Sequence, residues 1–532
     1  MSDTDNPDPG NPDTLRDLLE SVTRRHSERR AITLPEVGLR YADVNELANR
    51  GGNLLLGSGC GEGDIVMARC HNSLTMLATW LGCAKIGAVF MPVNSLLTGE
   101  PLHGVVSHAG GKIMICDSDL APEVVALRGR LPGLRDLLVA GPPPPAGGRN
   151  FDTLLRAASS SAPPPLRHGS DAPAKLMYTS GTTGRPKGAM WSRHAEALHV
   201  VCYGDELVRV DPGENTYACL PLFHATCQGT ALGTLWRGGH IAIDRSFDPF
   251  RFWSRIRESD AVFFPYVGTI LSVLAKRSGR REDGDNPVRR VMGSAAPQDL
   301  WPLIEERFGL VIEDVWGQTE LASCWTRPVG ERQRPGTVGA PTDRFVARIA
   351  NVDGGEAPRG TPGEMWIRPH RRNDVFDRYY HDDEGTSGMW TADGWYRTGD
   401  QMLQDDEGDF VFLGRMRDAI RRRGEMITPG DIEQAALLHP LVMEAAAVAV
   451  PAPHGVEDEV KLCVVARDGA DLDCRALRDF LQERLPAFMV PRYIQPYSTF
   501  PKTLTTRIQK YQLRDDGVGG AWDARSAILP AP

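Results

Sequence analysis

The chain has 532 residues, too many for one hydrophobic core, so two or more domains are expected. Its 41% hydrophobic and 24% charged residues are those of a globular protein, and a formal net charge of -9 argues against a nucleic-acid surface, which needs a basic excess. Ten cysteines without a CxxC pair exclude a zinc ribbon, a dithiol redox motif and a disulfide scaffold, and suit free thiols in a reducing cytoplasm.

Residues 1–11 are acidic and Pro-rich and read as a disordered leader, without the basic and apolar regions of a signal peptide. Apolar runs at 65–69, 88–93, 113–117 and 137–139 alternate with helix-length segments, which predicts βαβ units and a mostly parallel sheet. The most apolar stretch, 75–93, is interrupted by Lys85, two glycines and Pro92. A bilayer span needs about 20 apolar residues, so this stretch predicts a buried helix running into a strand, and no membrane partner. The Pro-, Gly- and Ser-rich segment 141–165, with a short helical piece at 151–158, reads as a surface connection inside the first domain.

Runs at 175–177, 262–265 and 311–315 predict further strands. After Gly336, short strands at 363–368 and 409–414 between Gly and Asp turns predict a small β-rich subdomain. Beyond Arg417, helical 432–439 and 474–485 and strand-like 445–450 and 461–466 predict a C-terminal α+β domain of about 100 residues. The expected division is a leader (1–11), an N-terminal domain (12–416), a C-terminal domain (417–515) and a tail (516–532).

Between 178 and 188 the chain reads YTSGTTGRPKG. Thr179, Ser180, Thr182 and Thr183 offer hydroxyls, Gly181 and Gly184 let backbone N–H groups wrap phosphate oxygens, and Lys187 adds a point charge. The Walker pattern GxxxxGK[ST] is absent. Composition alone more often means a plain turn, but the residue order resembles the phosphate-loop signature of the adenylate-forming superfamily. That superfamily includes acyl- and aryl-CoA synthetases, luciferases and peptide-synthetase adenylation domains.

Further segments follow in that superfamily's order. WGQTE at 316–320 is similar to its (Y/W)GxTE motif: Trp316 and Gly317 would lie on adenine, Asp314 would accept from the adenine amine, Thr319 would reach a phosphate, and Glu320 is an oxygen ligand suited to Mg²⁺. Ser294-Ala295-Ala296 resembles the segment on adenine's other side. YRTGD at 396–400 resembles the ribose motif, in which Asp400 accepts from both hydroxyls and Arg415 assists. Arg417 or Asp418 stands at the expected hinge, and the loop from Arg421 to Pro429 resembles one lining a thiol tunnel. There Gly424 would let a pantetheine arm pass, and the three arginines would either meet CoA phosphates or form a plain solvated run. His224 stands where relatives carry an aromatic or His beside the carboxylate being activated.

One position departs from the pattern. Where the superfamily carries Gly-Lys, with a lysine bridging carboxylate and α-phosphate, this chain has Thr506-Arg507. Arginine keeps the charge but as a planar fork. Arg507 is read as the replacement; the alternatives are Lys502 or Lys510 substituting from a shifted loop, or an activated acid that is not an ordinary carboxylate.

The resemblance implies an α/β fold: a large N-terminal domain of packed α/β sheets with a small β-barrel, and a mobile, smaller C-terminal α+β domain. It implies ATP and AMP, Mg²⁺ and CoA as cofactors, with a small acid first adenylated and then passed to CoA. RRRGEMITPGDIE and HGVEDEVK are most similar to the carnitine/crotonobetaine–CoA ligase branch. An amine acceptor (amide ligase), a diazotase activating nitrite against an aryl amine, and a non-catalytic nucleotide-binding scaffold stay open. So does a homodimer.

Overall fold

The computed structural model describes residues 12–141, 147–179, 187–277, 283–328, 330, 332–418, 420–422, 425–427, 429–452, 458–467, 470–502 and 508–525. Contacts divide the chain into two units, Met1–Val346 with Arg368–Trp395, and Ala347–Ile367 with Tyr396–Pro532.

The larger unit holds, among the described residues, two large sheets and a two-stranded one, Thr326–Arg327 with Ala340–Pro341. One has eight strands in the order Arg378–Tyr379, Lys187–Ser192, Pro173–Thr179, Val89–Pro92, Ile65–Arg69, Ile113–Asp117, Asp136–Ala140 and Arg149–Asn150. Its pairings are parallel except the two that involve Lys187–Ser192. The other runs Val311–Asp314, Arg290–Ser294, Ala261–Val267, Asn215–Ala218, His240–Ile243, Arg30–Leu34 and Val37–Arg40, and only its last pair is antiparallel. Parallel neighbours need crossover segments, and helices supply them.

The apolar stretch after Asn72 becomes helix Leu74–Ile86 and strand Val89–Pro92, as its pattern predicts. Ser73 caps the helix by accepting from the Met76 N–H, and Gly87 ends it in the left-handed region at φ 70°. This helix is buried on nearly every side because one apolar core takes residues from both sheets, such as Ile115 and Ile312. It lies so close to helix Tyr41–Gly57 that a Cβ on Gly51 would sit 2.1 Å from the Ala78 carbonyl oxygen. Only glycine fits that crossing.

In the smaller unit, Phe345–Ala350, Gly363–Pro369, Tyr396–Gln404 and Phe410–Arg415 form a four-stranded sheet where the sequence suggests a small β-barrel. A second four-stranded sheet, Val442–Pro451, Asp458–Ala466, Tyr493–Tyr497 and Trp522–Asp523, is covered on both faces. Val460, Leu462 and Val464 enter one core and Cys463 and Val465 the other, the period-two alternation of a strand. Helix Cys474–Gln482 buries Leu477 and Leu481, four residues apart, against the first core.

All ten cysteines are free thiols; nine are buried and Cys474 is partly exposed. Among the described residues no helix is long and apolar enough to cross a membrane.

Candidate active site

The site segments of the larger unit gather where parallel strands end, since the carboxyl ends of such strands leave a crevice with free backbone groups. Ser294 closes strand Arg290–Ser294, and Asp314 closes its neighbour Val311–Asp314. The Tyr266 hydroxyl donates to Asp314 Oδ1 at 2.9 Å, and the Ala296 N–H donates to the same oxygen at 3.3 Å. Burial nevertheless pushes the Asp314 carboxyl up to about 7. Gln333 clamps the Asp314 backbone, accepting from its N–H and donating to its carbonyl, each at 2.8 Å. Ala295 takes φ 63°, and a Cβ on Gly268 would lie 1.8 Å from its carbonyl oxygen, so the turn is held tightly.

Trp316 is buried, with its backbone N–H donating to Thr326 Oγ1 at 2.7 Å. A Cβ on Gly317 would lie 2.3 Å from the Trp325 ring, which explains a glycine there. The Trp325 ring meets Tyr203 edge-on at 5.2 Å, and Tyr203 lies against Gly229 of helix Ala225–Trp236. Neither ring belongs to a motif legible in the sequence.

Thr319 and Glu320 form a short 3₁₀ turn. The Trp191 indole donates to the Thr319 carbonyl at 2.9 Å, and the Tyr379 hydroxyl donates to Glu320 Oε1 at 2.9 Å. Glu320 is half-buried, and among the described residues no basic side chain pairs with it. A half-buried carboxylate of this kind fits Mg²⁺, which is usually held by one or two carboxylates together with substrate phosphates.

Strands Pro173–Thr179 and Lys187–Ser192 are antiparallel, with Thr179 opposite Lys187 at their end. Ser180, Gly181, Thr182, Thr183 and Gly184 lie outside the described residues. Lys187 Nζ stands 4.7 Å over the Tyr379 ring and 3.7 Å from Asp382 Oδ2. His224, half-buried, precedes helix Ala225–Trp236 with its ring 4.5 Å from that of Phe223.

Buried polar groups tie these segments together. Lys175, on the strand leading to the phosphate loop, pairs with Glu196 at 3.0 Å and donates to Gln228 Oε1 at 2.8 Å. His199 contacts the Ala322 carbonyl through Nδ1 at 2.7 Å and the Ala225 carbonyl through Nε2 at 3.1 Å. Burial, reinforced by the Lys175 cation, holds its pKa down to about 4.

In the smaller unit, Asp400 and Arg415 are cross-strand partners, and Arg415 Nε stands 2.8 Å from Asp400 Oδ1. Arg422 is buried, 2.8 Å from Glu459, with its guanidinium also on the Phe488 and Val490 carbonyls. That corrects the reading of three arginines turned to CoA phosphates, because this one is a structural clamp. Lys502 pairs with Glu444 and Lys510 with Glu433, each at 2.6 Å. Gly424 and Arg507 lie outside the described residues.

The profile of the AMP-binding enzyme family matches residues 19–380, and that of the AMP-binding enzyme C-terminal domain matches residues 431–507. The chain is 29% identical over 510 residues to the sulfoacetate–CoA ligase of Cupriavidus necator, covering 94% of this chain and 97% of that protein. It is 26% identical over 485 residues to the crotonobetaine/carnitine–CoA ligase of Salmonella paratyphi A, covering 89% and 92%. The ATP-bound structure of MatB from Rhodopseudomonas palustris superposes with a TM-score of 0.83 at 26% identity, covering 94% of this chain and 98% of that one.

Proposed function

Because the chain belongs to the AMP-binding enzyme family, we propose that it activates a small acid with ATP and then transfers the acyl group to CoA. The observation that carries this reading is the Asp314 cluster, a buried carboxylate held by Tyr266 and Ala296, two residues before Trp316 and six before Glu320 in the chain. Its support comes also from relatives that are themselves CoA ligases.

In this reading a carboxylate oxygen of the acid attacks the α-phosphorus, the α–β bridging bond breaks, and pyrophosphate leaves with its electron pair. The CoA thiolate then attacks the acyl carbon, and the bond to AMP breaks. Trp316, Gly317, Ser294, Ala295 and Ala296 hold the adenine, whose amine donates to Asp314. Asp400 and Arg415 hold the ribose. Thr179 to Gly184, Lys187 and Thr319 hold phosphate oxygens, and His224 lies beside the acid. Glu320 would hold Mg²⁺, which would offset phosphate charge. Gly424 gives the thiol arm room. Arg507 bridges carboxylate and α-phosphate, stabilising charge as the new bond forms. Lys502 and Lys510 are each engaged by a glutamate 2.6 Å away, which favours Arg507 over either lysine.

The test is pyrophosphate release from MgATP across aliphatic acids, aryl acids and nitrite, with and without CoA, with products identified by mass spectrometry. A CoA-dependent thioester with AMP is expected. Turnover indifferent to CoA, or needing nitrite with an amine, would replace CoA by another acceptor, and no cleavage with any acid would leave only nucleotide binding.

Asp314 gives this reading a pH signature. Its folded value is raised from 3.8 to about 7, so the neutral carboxyl contributes stability below the unfolded value, and that is lost as pH rises through about 7. Only the ionised form offers the adenine amine a charged acceptor. ATP affinity measured by calorimetry is therefore expected to strengthen from pH 6 to 8, and Asp314→Asn to flatten the profile.

A further inference from the structure

Strand Arg378–Tyr379 lies 59 residues from Glu320 in sequence, yet it is built into the edge of the phosphate site. Tyr379 pairs with Ala189 and Arg378 with Met190 across an antiparallel bridge, and flanking N–H groups of Asp377 and Tyr380 donate to Met190 and Gly188, both at 2.7 Å. The segment is therefore locked to the strand that begins at Lys187.

The same segment grips Glu320 twice. The Phe376 N–H donates to the Glu320 carbonyl at 2.8 Å, and the Tyr379 hydroxyl donates to its Oε1 at 2.9 Å. The other part of Tyr379, its ring face, carries the Lys187 ammonium at 4.7 Å, within cation–π range. Tyr379 itself is 4% exposed, so its ring is fixed by packing, with Phe376 at 5.0 Å. One side chain thus meets a carboxylate through its hydroxyl and an ammonium through its ring. The Lys187–Asp382 pair, at 3.7 Å and with both side chains about a third exposed, constrains the lysine only weakly.

We propose that Tyr379 is a positioning residue for nucleotide binding: its hydroxyl fixes the orientation of Glu320, which would hold the metal, and its ring holds the Lys187 ammonium, which would meet the phosphates. This rests on the reading of Glu320 and Lys187 given above. Hydrogen-bonding partners of metal ligands orient those ligands, and their loss typically weakens metal affinity about 10–100-fold. A tyrosine that merely fills space needs the ring but not the hydroxyl, and would show no preference between metal-bound and metal-free nucleotide.

The experiment is calorimetric titration of the full chain with α,β-methylene-ATP, in excess Mg²⁺ and in EDTA. Tyr379→Phe is expected to weaken binding about 10–100-fold in Mg²⁺ and to leave binding in EDTA at the wild-type value. Tyr379→Leu, which also removes the ring, is expected to weaken both. In a Glu320→Gln background, Tyr379→Phe is expected to add no further loss, because the pair acts as a unit. Equal losses of Tyr379→Phe with and without Mg²⁺, or none in either, overturn the proposal while the nucleotide-binding reading stands. Wild-type protein that binds nucleotide in neither condition overturns both.

Discussion

Arg507→Ala is expected to slow acid-dependent pyrophosphate release about 10²–10³-fold, the usual cost of removing one preorganised charge from a transition state. The loss should fall on kcat with little change in the KM for ATP, since the charge is needed as the carboxylate oxygen meets phosphorus. Thiolysis of a supplied acyl-adenylate by CoA should be far less affected. The same experiment on Lys502→Ala and Lys510→Ala should leave the rate near wild type, because those ammonium groups are paired with Glu444 and Glu433. Arg507→Lys keeps the charge but not the two-pronged geometry, and an intermediate rate is expected. A large loss in Lys510→Ala with Arg507→Ala near wild type would transfer the role.

The second large effect is on stability. Lys175 and Glu196 are both essentially excluded from solvent and stand 3.0 Å apart. Lys175→Met leaves Glu196 buried with the Trp80 indole as donor but no cation, and should cost about 3–5 kcal/mol in urea unfolding. Pairing the change with Glu196→Gln should recover much of that loss, because replacing both ions removes two desolvation penalties along with one attraction. Added salt should not mimic the single variant, since screening hardly reaches a buried pair. A cost below about 1 kcal/mol would place the pair among ordinary surface ion pairs.

Much of this architecture is legible in the sequence because it is local. The runs at 65–69 and 113–117 and the apolar stretch after Asn72 carry their own periodicity, and they become strands and a buried helix. The motif residues at the strand ends, Asp314 and Ser294, are readable because chain order preserves them. What escapes is written between distant positions. Tyr379 reaches Glu320 across 59 residues, and Lys175 reaches Gln228 across 53. His199 joins Ala225 to Ala322 through backbone carbonyls, which carry no sequence signal. Trp325 is visible only as the reason Gly317 has no side chain. The three arginines near Gly424 show the converse, since a run of charge says nothing about which member is buried, and Arg422 is.

The distribution of thiols makes the native chain a ready substrate for fluorescent labelling. Nine of its cysteines are shielded, and burial holds thiols such as Cys227 and Cys324 well above their ordinary range, which starves a maleimide of thiolate. Cys474, whose thiol is also raised by partial burial and by Asp473, differs in being partly open, at the first turn of a helix in the smaller unit. A single dye can therefore be placed there without removing any other cysteine, giving an optical reporter of that unit during turnover.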